Sequence, residues 1–258
     1  MLYNFLHEIV VDPGQNTTKP FVTLTYAQSL DGKIAGHGGQ QLILSGPESM
    51  KATHMLRAMH DGILVGINTV FNDDPRLTAR LSNDELPPRC ISETGQLRNP
   101  ALFPELQPKP IILDAQLRFP LSSKLLDQDA PTRPLILTRH DHSPERRRQL
   151  ELRGATVVGC STDSQGRLDL FNVVQELSAR KIRSLMVEGG ASIIKSFLES
   201  GLVDLTIVTI APTFVGQDGV SVIGSAQGLP QLENPTYHTL GRDVVLVAKV
   251  HRTASPKQ

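Results

Sequence analysis

Short apolar runs recur along the 258-residue chain, and helical patterns lie between most of them. The runs have the length of buried strands and several are rich in β-branched residues. Strands that alternate with helices predict an α/β fold in which most neighbouring strands run parallel. Strands are predicted at 21–27, 63–66, 110–114, 135–140, 155–159, 184–187, 205–210 and 244–250, and helices at 49–60, 143–154, 170–179 and 192–200.

The length of the chain is sufficient for one substantial hydrophobic core. We expect a single domain over residues 20–258, preceded by an N-terminal arm at 1–19. Residues 82–109 are rich in Pro, Asn, Ser and Glu, which indicates a surface excursion with little regular structure. The last two predicted strands are expected to pair antiparallel at the C-terminal edge of the sheet.

Composition excludes several classes of partner. The 26 Lys and Arg balance the 26 Asp and Glu, so no overall field attracts nucleic acid or a membrane surface. No apolar run is long enough to cross a bilayer, and the first residues do not resemble a signal peptide, so we expect a cytoplasmic protein. Cys90 and Cys160 are too few for a cysteine-rich zinc site, and we expect no metal and no disulfide.

The most informative stretch is 187–192, where an apolar run ends at Glu188 and is followed by Gly189, Gly190 and a helical pattern. Glycines let a ligand approach the backbone, and the unpaired N–H groups of a first helical turn favour an anion. A dinucleotide pyrophosphate would suit this turn, although glycines needed only for packing give the same letters. The fingerprint G-x-G-x-x-G is absent, even from the glycine-rich residues 36–40, which disfavours a Rossmann domain.

Other candidate ligand residues follow predicted strands. Thr69 and Asp73 are four residues apart and would share one face of a helical turn. Arg139, beside Thr138 at a strand exit, could meet a ribose 2′-phosphate, which would favour NADP over NAD. Asp31 precedes a glycine just past the first strand, where open α/β sheets bind ligands. Each of these residues could equally be a cap, a turn residue or a solvated charge.

Two arginines are candidates for binding an anionic substrate. Arg57 lies off the apolar stripe formed by Met55, Leu56 and Met59, so it is free to face solvent or a ligand. Arg80 offers a planar guanidinium that suits phosphate.

Together these stretches resemble the riboflavin-biosynthesis pyrimidine reductases, whose fold is similar to that of dihydrofolate reductase. The matching segments are 29–35, 56–58, 61–66, 68–70, 73–78 with Arg80, 187–190 and 211–212. Bacterial members are usually fused to a zinc deaminase with H-x-E and P-C-x-x-C motifs, and neither motif occurs here. The chain therefore looks like the free-standing fungal and archaeal reductases, and its arm and excursion look more like the fungal ones. Thr25 stands where bacterial members often have lysine.

The resemblance implies a three-layer fold and a homodimer that uses NADPH to reduce 2,5-diamino-6-ribosylamino-4(3H)-pyrimidinone 5′-phosphate to its ribitylamino counterpart. By position in the family pattern, the cofactor would contact Thr69, Asp73, Gly189, Gly190, Ala191 and Ser192, and the substrate Arg57, Leu77, Arg80 and Glu188. Asp31 and Glu188 would be the catalytic candidates that steer a proton. Two alternatives stay open: a dihydrofolate-reductase-like enzyme acting on another pterin or pyrimidine, and a non-catalytic nucleotide-binding module.

Overall fold

The computed structural model describes residues 18–251 apart from 84–85, 88–89, 92–94, 97, 101 and 224–227. The predicted N-terminal arm therefore lies almost wholly outside the described residues. The described chain divides into two compact units. The first unit comprises residues 21–53 and the chain from 187 onward, and the second is formed chiefly by residues 54–186. The single domain stays a prediction.

The helices and strands are as follows, numbered in chain order. The strands are β1 (Phe21–Ser29), β2 (Lys33–Ala35), β3 (Gly62–Gly66), β4 (Lys109–Leu113), β5 (Leu135–Arg139), β6 (Thr156–Cys160), β7 (Ser184–Glu188), β8 (Leu205–Ala211), β9 (Val220–Ser221), β10 (Leu232–Leu240) and β11 (Asp243–Val250). The α-helices are α1 (Pro47–Met59), α2 (Ile67–Asp73), α3 (Pro144–Leu152), α4 (Leu170–Ala179) and α5 (Ala191–Ser200). Short 3-10 helices cover His37–Gly39, Pro104–Leu106 and Lys124–Leu126.

In the first unit the strands lie in the order β10, β11, β8, β1. Strands β1 and β8 are parallel, whereas β11 is antiparallel to both β8 and β10. The predicted antiparallel pairing of the last two apolar strands is therefore confirmed. Strand β10 was not predicted, because its residues are mostly polar and exposed and include a proline. A small second sheet pairs β2 with β9.

In the second unit the order is β7, β3, β4, β5, β6, with β7 contributing its first residues. The pairs from β3 to β6 are all parallel. Every residue of β3 is buried, as expected for a strand covered on both faces. The predicted α/β class, with a mostly parallel sheet and an antiparallel C-terminal edge, is confirmed.

Hydrogen bonds join the starts of β3 and β7. The Asp61 carboxylate accepts from the backbone N–H groups of Arg183 and Ser184 at 2.9 and 3.1 Å, and the Ser184 hydroxyl accepts from Asp61 N at 2.9 Å. Gly62 lies next to this junction in close packing, since a Cβ there would lie 2.6 Å from Ile111 Cδ1. The Asp61-Gly62 pair thus has a structural role in aligning two strands.

Asp243, the first residue of β11, fixes the start of α1. Its side chain is fully buried, and Oδ2 accepts from Gly46 N at 2.7 Å. We expect Asp243→Ala to lower the free energy of unfolding by about 1–3 kcal/mol, because the buried Gly46 N–H would lose its acceptor. Urea unfolding measures this, with Asp218→Ala at an exposed site as the control. An equal, small loss in both variants would contradict the assigned role.

Candidate active site

A turn with two glycines of positive φ follows β7. The strand ends at the half-buried Glu188, Gly189 and Gly190 have φ of 82° and 68°, and α5 begins at Ala191. Positive φ at consecutive residues favours glycine because it has no Cβ. Gly190 has no side chain to cap α5, and the first N–H groups of a helix have no intrahelical acceptor. The predicted strand, turn and helix at 187–192 are confirmed as local structure.

This turn has the features of an anion site. It lies at the carboxyl end of a strand, where α/β sheets bind ligands, and at the N-terminus of a ten-residue helix, which favours negative charge. Ser192 is exposed and Ala191 half-buried, so the first helical turn is accessible. Its role in binding a cofactor stays a prediction.

Helix α2 carries Thr69 and Asp73 directly after β3. Their four-residue spacing within one helix places both side chains on the same face. Asp73 is exposed, yet desolvation by the surrounding protein raises the pKa of its carboxyl. Asp74, by contrast, is structural. It ends the helix with φ of 37°, and its Oδ1 accepts from Ser123 Oγ and Lys124 N, each at 3.0 Å.

Residues 76–80, here called the arginine segment, bring cationic groups together in the second unit. Arg57 Nη1 donates to the carbonyl oxygen of Thr78 at 3.2 Å. Desolvation, together with the charges of Arg57 and Arg76, lowers the pKa of the Arg80 guanidinium. Repulsion among neighbouring guanidinium groups falls when an anion binds among them, so the arrangement suits a phosphate.

His54 of α1 supports this segment and was missed in the sequence. Its Nδ1 lies 3.2 Å from the Thr78 carbonyl oxygen, and its Nε2 lies 3.2 Å from Arg80 Nη2. The backbone N–H of Arg80 also points at Nδ1, at 3.4 Å, so the imidazole contacts both the backbone and the guanidinium of Arg80. His54 is 8% exposed, and its sequence neighbours Met55 and Leu56 are buried, so local sequence alone indicates a core residue.

Leu77 and Arg139 have surroundings that the sequence did not reveal. Leu77 has φ of 52°, uncommon for a residue with a side chain, and it packs in the hydrophobic core of the second unit. Arg139 ends β5, and its Nε lies 3.0 Å from Asp141 Oδ1. Thr138 beside it is fully buried, with its hydroxyl donating to Ala115 O at 3.2 Å. Both proposed ligand roles stay predictions.

Asp31 ties two loops of the first unit together. Its carboxylate accepts from Ser29 Oγ at 2.6 Å, from Gly216 N at 2.7 Å and from Val215 N at 3.1 Å. The Ser29 hydroxyl and the backbone N–H of Gly216, with that of Val215, lower the pKa of Asp31 to about 2, although desolvation opposes them. The group is therefore ionised near neutral pH and holds no proton to donate. These contacts favour a positioning role for Asp31.

The same contacts make the stability pH-dependent. Because the folded pKa of Asp31 lies below its ordinary value of 3.8, its contribution is fully present above about pH 4 and is lost as the pH falls towards 2. We expect the difference in melting temperature between the wild type and Asp31→Asn to stay constant from pH 7 to about pH 4 and then to shrink. A difference that persists unchanged at pH 2 would contradict these hydrogen bonds.

The described ranges contain neither a candidate metal-binding cluster nor a candidate membrane-spanning helix. Within them, no three or more His, Cys, Asp and Glu side chains are grouped in a way that could hold a metal ion. In the same part of the chain, each helix is too short or too polar to cross a bilayer.

Comparisons with known proteins agree with the predicted family. Residues 20–246 match the model of the RibD C-terminal domain. The chain is 37% identical over 84% of its length to the 2,5-diamino-6-ribosylamino-4(3H)-pyrimidinone 5′-phosphate reductase of Debaryomyces hansenii, of which it covers 84%. It is 34% identical to the reductase of the same name from Methanothermobacter thermautotrophicus, with 88% of this chain and 97% of that one covered. It is also 34% identical to the RibD protein of Aquifex aeolicus, of which it spans 58%.

A solved structure supports the same conclusion. The riboflavin biosynthesis reductase Rib7 of Saccharomyces cerevisia superimposes with a TM-score of 0.70 at 30% identity, covering 92% of this chain and 93% of that one. The predicted three-layer reductase fold is thereby confirmed. A pyrimidine reductase-like protein of Corynebacterium diphtheriae has the same fold, with a TM-score of 0.71. The chain belongs to the RibD C-terminal domain family.

Proposed function

We propose that this protein reduces the ribosylamino side chain of 2,5-diamino-6-ribosylamino-4(3H)-pyrimidinone 5′-phosphate to the ribitylamino group, with NADPH as the reductant. The observation that carries the proposal is the 37% identity, over 84% of both chains, to a reductase named for that substrate. The arginine segment supports it, because this substrate brings a phosphate and the second unit gathers cationic side chains around Thr78.

The reaction requires the protein chiefly to position the substrate relative to the reductant. A ribosylamine can open to an imine, which makes C1′ electrophilic, and addition of one hydride at C1′ and one proton at nitrogen gives the open-chain amine. When bound, NADPH supplies the hydride. The remaining tasks are to hold the substrate in a reactive geometry, to manage one proton and to exclude water.

Substrate binding is assigned to Arg57, Leu77 and Arg80 of the second unit and, in the first unit, to Glu188. Arg57 and Arg80 bind the 5′-phosphate, and the backbone at Leu77 shapes the approach to it. Glu188, the last residue of β7, lines the substrate and steers the proton. Asp31, ionised with a pKa of about 2, contributes by holding the loops that follow β1 and β8.

Cofactor binding is assigned to two further groups of residues. Gly189, Gly190, Ala191 and Ser192 bind the pyrophosphate, and the φ of 68° at Gly190 together with the N-terminus of α5 fits a close-lying anion. Thr69 and Asp73 bind a ribose or the nicotinamide amide. Arg139 binds the 2′-phosphate, which distinguishes NADPH from NADH. The protein is further proposed to act as a homodimer in the cytoplasm, and sedimentation should give about twice the chain mass of 28.2 kDa.

The test is turnover. Purified protein is mixed with NADPH and the phosphorylated ribosylamino-pyrimidine, and the loss of nicotinamide absorbance is followed, with dihydrofolate in place of the pyrimidine as the comparison. We expect oxidation with the pyrimidine and none with dihydrofolate. Binding of NADPH without oxidation would contradict the proposal and favour a non-catalytic module. Oxidation only with dihydrofolate would indicate a reductase acting on pterins.

A further inference from the structure

The side-chain amide of Gln107 forms two hydrogen bonds with the backbone of the arginine segment; this pair of bonds is called the Gln107 clasp below. Its Oε1 accepts from Ala79 N at 2.8 Å, and its Nε2 donates to Ala79 O at 2.9 Å. One side-chain amide therefore satisfies both polar groups of one peptide residue, as a neighbouring strand would. Gln107 is 8% exposed and Ala79 is 2% exposed, so water cannot readily replace either bond.

The position of Ala79 bears directly on two arginines. The Thr78 carbonyl, which shares a peptide unit with Ala79 N, accepts from Arg57 Nη1 and is contacted by His54 Nδ1, each at 3.2 Å. Arg80, the next residue, has its guanidinium 3.2 Å from His54 Nε2. A shift of the backbone at Ala79 would therefore displace the acceptor that anchors Arg57 and the stem that carries Arg80.

The backbone conformation of the arginine segment must be stabilised by contacts with the rest of the second unit. Leu77 adopts φ of 52°, a conformation that a residue with a side chain keeps only where the surroundings impose it. Gln107 comes from the end of the excursion at 82–109, where the 3-10 helix Pro104–Leu106 stops and Leu106 is buried. The end of the excursion therefore places a buried, doubly hydrogen-bonded amide against the backbone beside the arginines.

We infer that Gln107 is a positioning residue for the substrate phosphate, acting through Ala79 on Arg57 and Arg80. The inference rests on the proposed function only in naming the phosphate as that of the pyrimidine substrate. It assigns a role to the excursion that its composition did not suggest.

The first test is Gln107→Met, which keeps the length of the side chain and removes both polar atoms. We expect the KM for the phosphorylated pyrimidine to rise by about tenfold or more, while kcat and the KM for NADPH change less than about twofold, because misplaced arginines weaken phosphate binding before and during the reaction alike. Asn172→Ala is the matched control. It also removes a side-chain amide that holds a backbone N–H, that of Ser161 at 2.9 Å, in the same unit.

A second variant distinguishes a positioning role of Gln107 from a general loss of folded structure. Gln107→Glu keeps the acceptor for Ala79 N but places an oxygen against Ala79 O while the carboxyl is ionised. Protonation restores a donor there. We therefore expect the ratio of its KM to that of the wild type to fall as the pH is lowered from 8 to 6, a trend that Gln107→Met should not show. A ratio independent of pH and close to one in both variants would overturn the inference.

Failure of the proposed function would be recognised separately. If the wild type does not turn over the pyrimidine, titration with ribose 5-phosphate still measures the phosphate site, and hydrogen exchange over residues 77–81 measures the clasp. The inference then requires both weaker ribose 5-phosphate binding and faster exchange in Gln107→Met than in Asn172→Ala. Faster exchange with unchanged ribose 5-phosphate affinity would show that the clasp is structural only.

Discussion

Replacing Arg80 with alanine should raise the KM for the phosphorylated pyrimidine between about tenfold and 150-fold, with kcat nearly unchanged. The expected loss corresponds to one charge-assisted contact, roughly 1.5–3 kcal/mol. A phosphate contact that is present in both the bound and the transition state raises KM and leaves kcat alone. Removing Arg80 also relieves its repulsion with Arg57 and Arg76, so the fold should lose little stability.

The control for Arg80→Ala is Arg148→Ala, at an exposed position of α3. That variant removes the same charge and should leave the KM for the substrate within about twofold of the wild type. Steady-state kinetics with varied pyrimidine at saturating NADPH measure both variants, and urea unfolding measures their stability. If Arg80→Ala lost stability without a change in KM, Arg80 would be a structural residue paired with His54.

Replacing Gly190 with valine should weaken NADPH binding by about a hundredfold or more. Gly190 has φ of 68° and ψ of 119°, which a β-branched residue cannot adopt without strain of about 1–3 kcal/mol. The added side chain would also occupy the space in which the pyrophosphate is proposed to approach the first turn of α5. Both effects act on the turn itself, so the loss of cofactor affinity should exceed the loss of stability.

Gly201 at the other end of α5 provides the matched control. It has the same φ of 68° and a Cβ there would meet open space, so Gly201→Val introduces backbone strain away from the proposed pyrophosphate site. Fluorescence titration with NADPH should give a wild-type dissociation constant for Gly201→Val and a much larger one for Gly190→Val. Equal affinities in the two variants would remove the glycine turn from the cofactor site.

Much of the fold could be predicted because the strands are apolar runs of the right length. The first strand was predicted to begin at Phe21 and does so, and α4 was predicted with its observed bounds, Leu170–Ala179. Strand β10 escaped prediction because Leu232–Leu240 is mostly exposed and has no apolar face to reveal it. Its pairing depends on β11, an apolar neighbour whose presence beside it no local pattern shows.

The site was less predictable, for a different reason. The glycines at 189 and 190 predict a turn from the sequence alone, because glycine adopts positive φ more readily than other residues. The depressed pKa of Asp31, in contrast, depends not only on the Ser29 hydroxyl two residues away but also on the N–H groups of Gly216 and Val215, more than 180 residues away. His54 and Gln107 act through contacts with residues 78–80 that lie 24 to 28 positions from them. Only the folded chain brings these partners together.

The most direct test of the proposed reaction follows the hydride itself. The enzyme is supplied with NADPH deuterated at the transferable position of nicotinamide C4, and the pyrimidine product is analysed by mass spectrometry and NMR. One deuterium at C1′ of a ribitylamino product is the predicted result. A product without deuterium at C1′, or recovery of unreduced ribosylamino-pyrimidine from enzyme that binds NADPH, would contradict the assignment of this chain as the reductase.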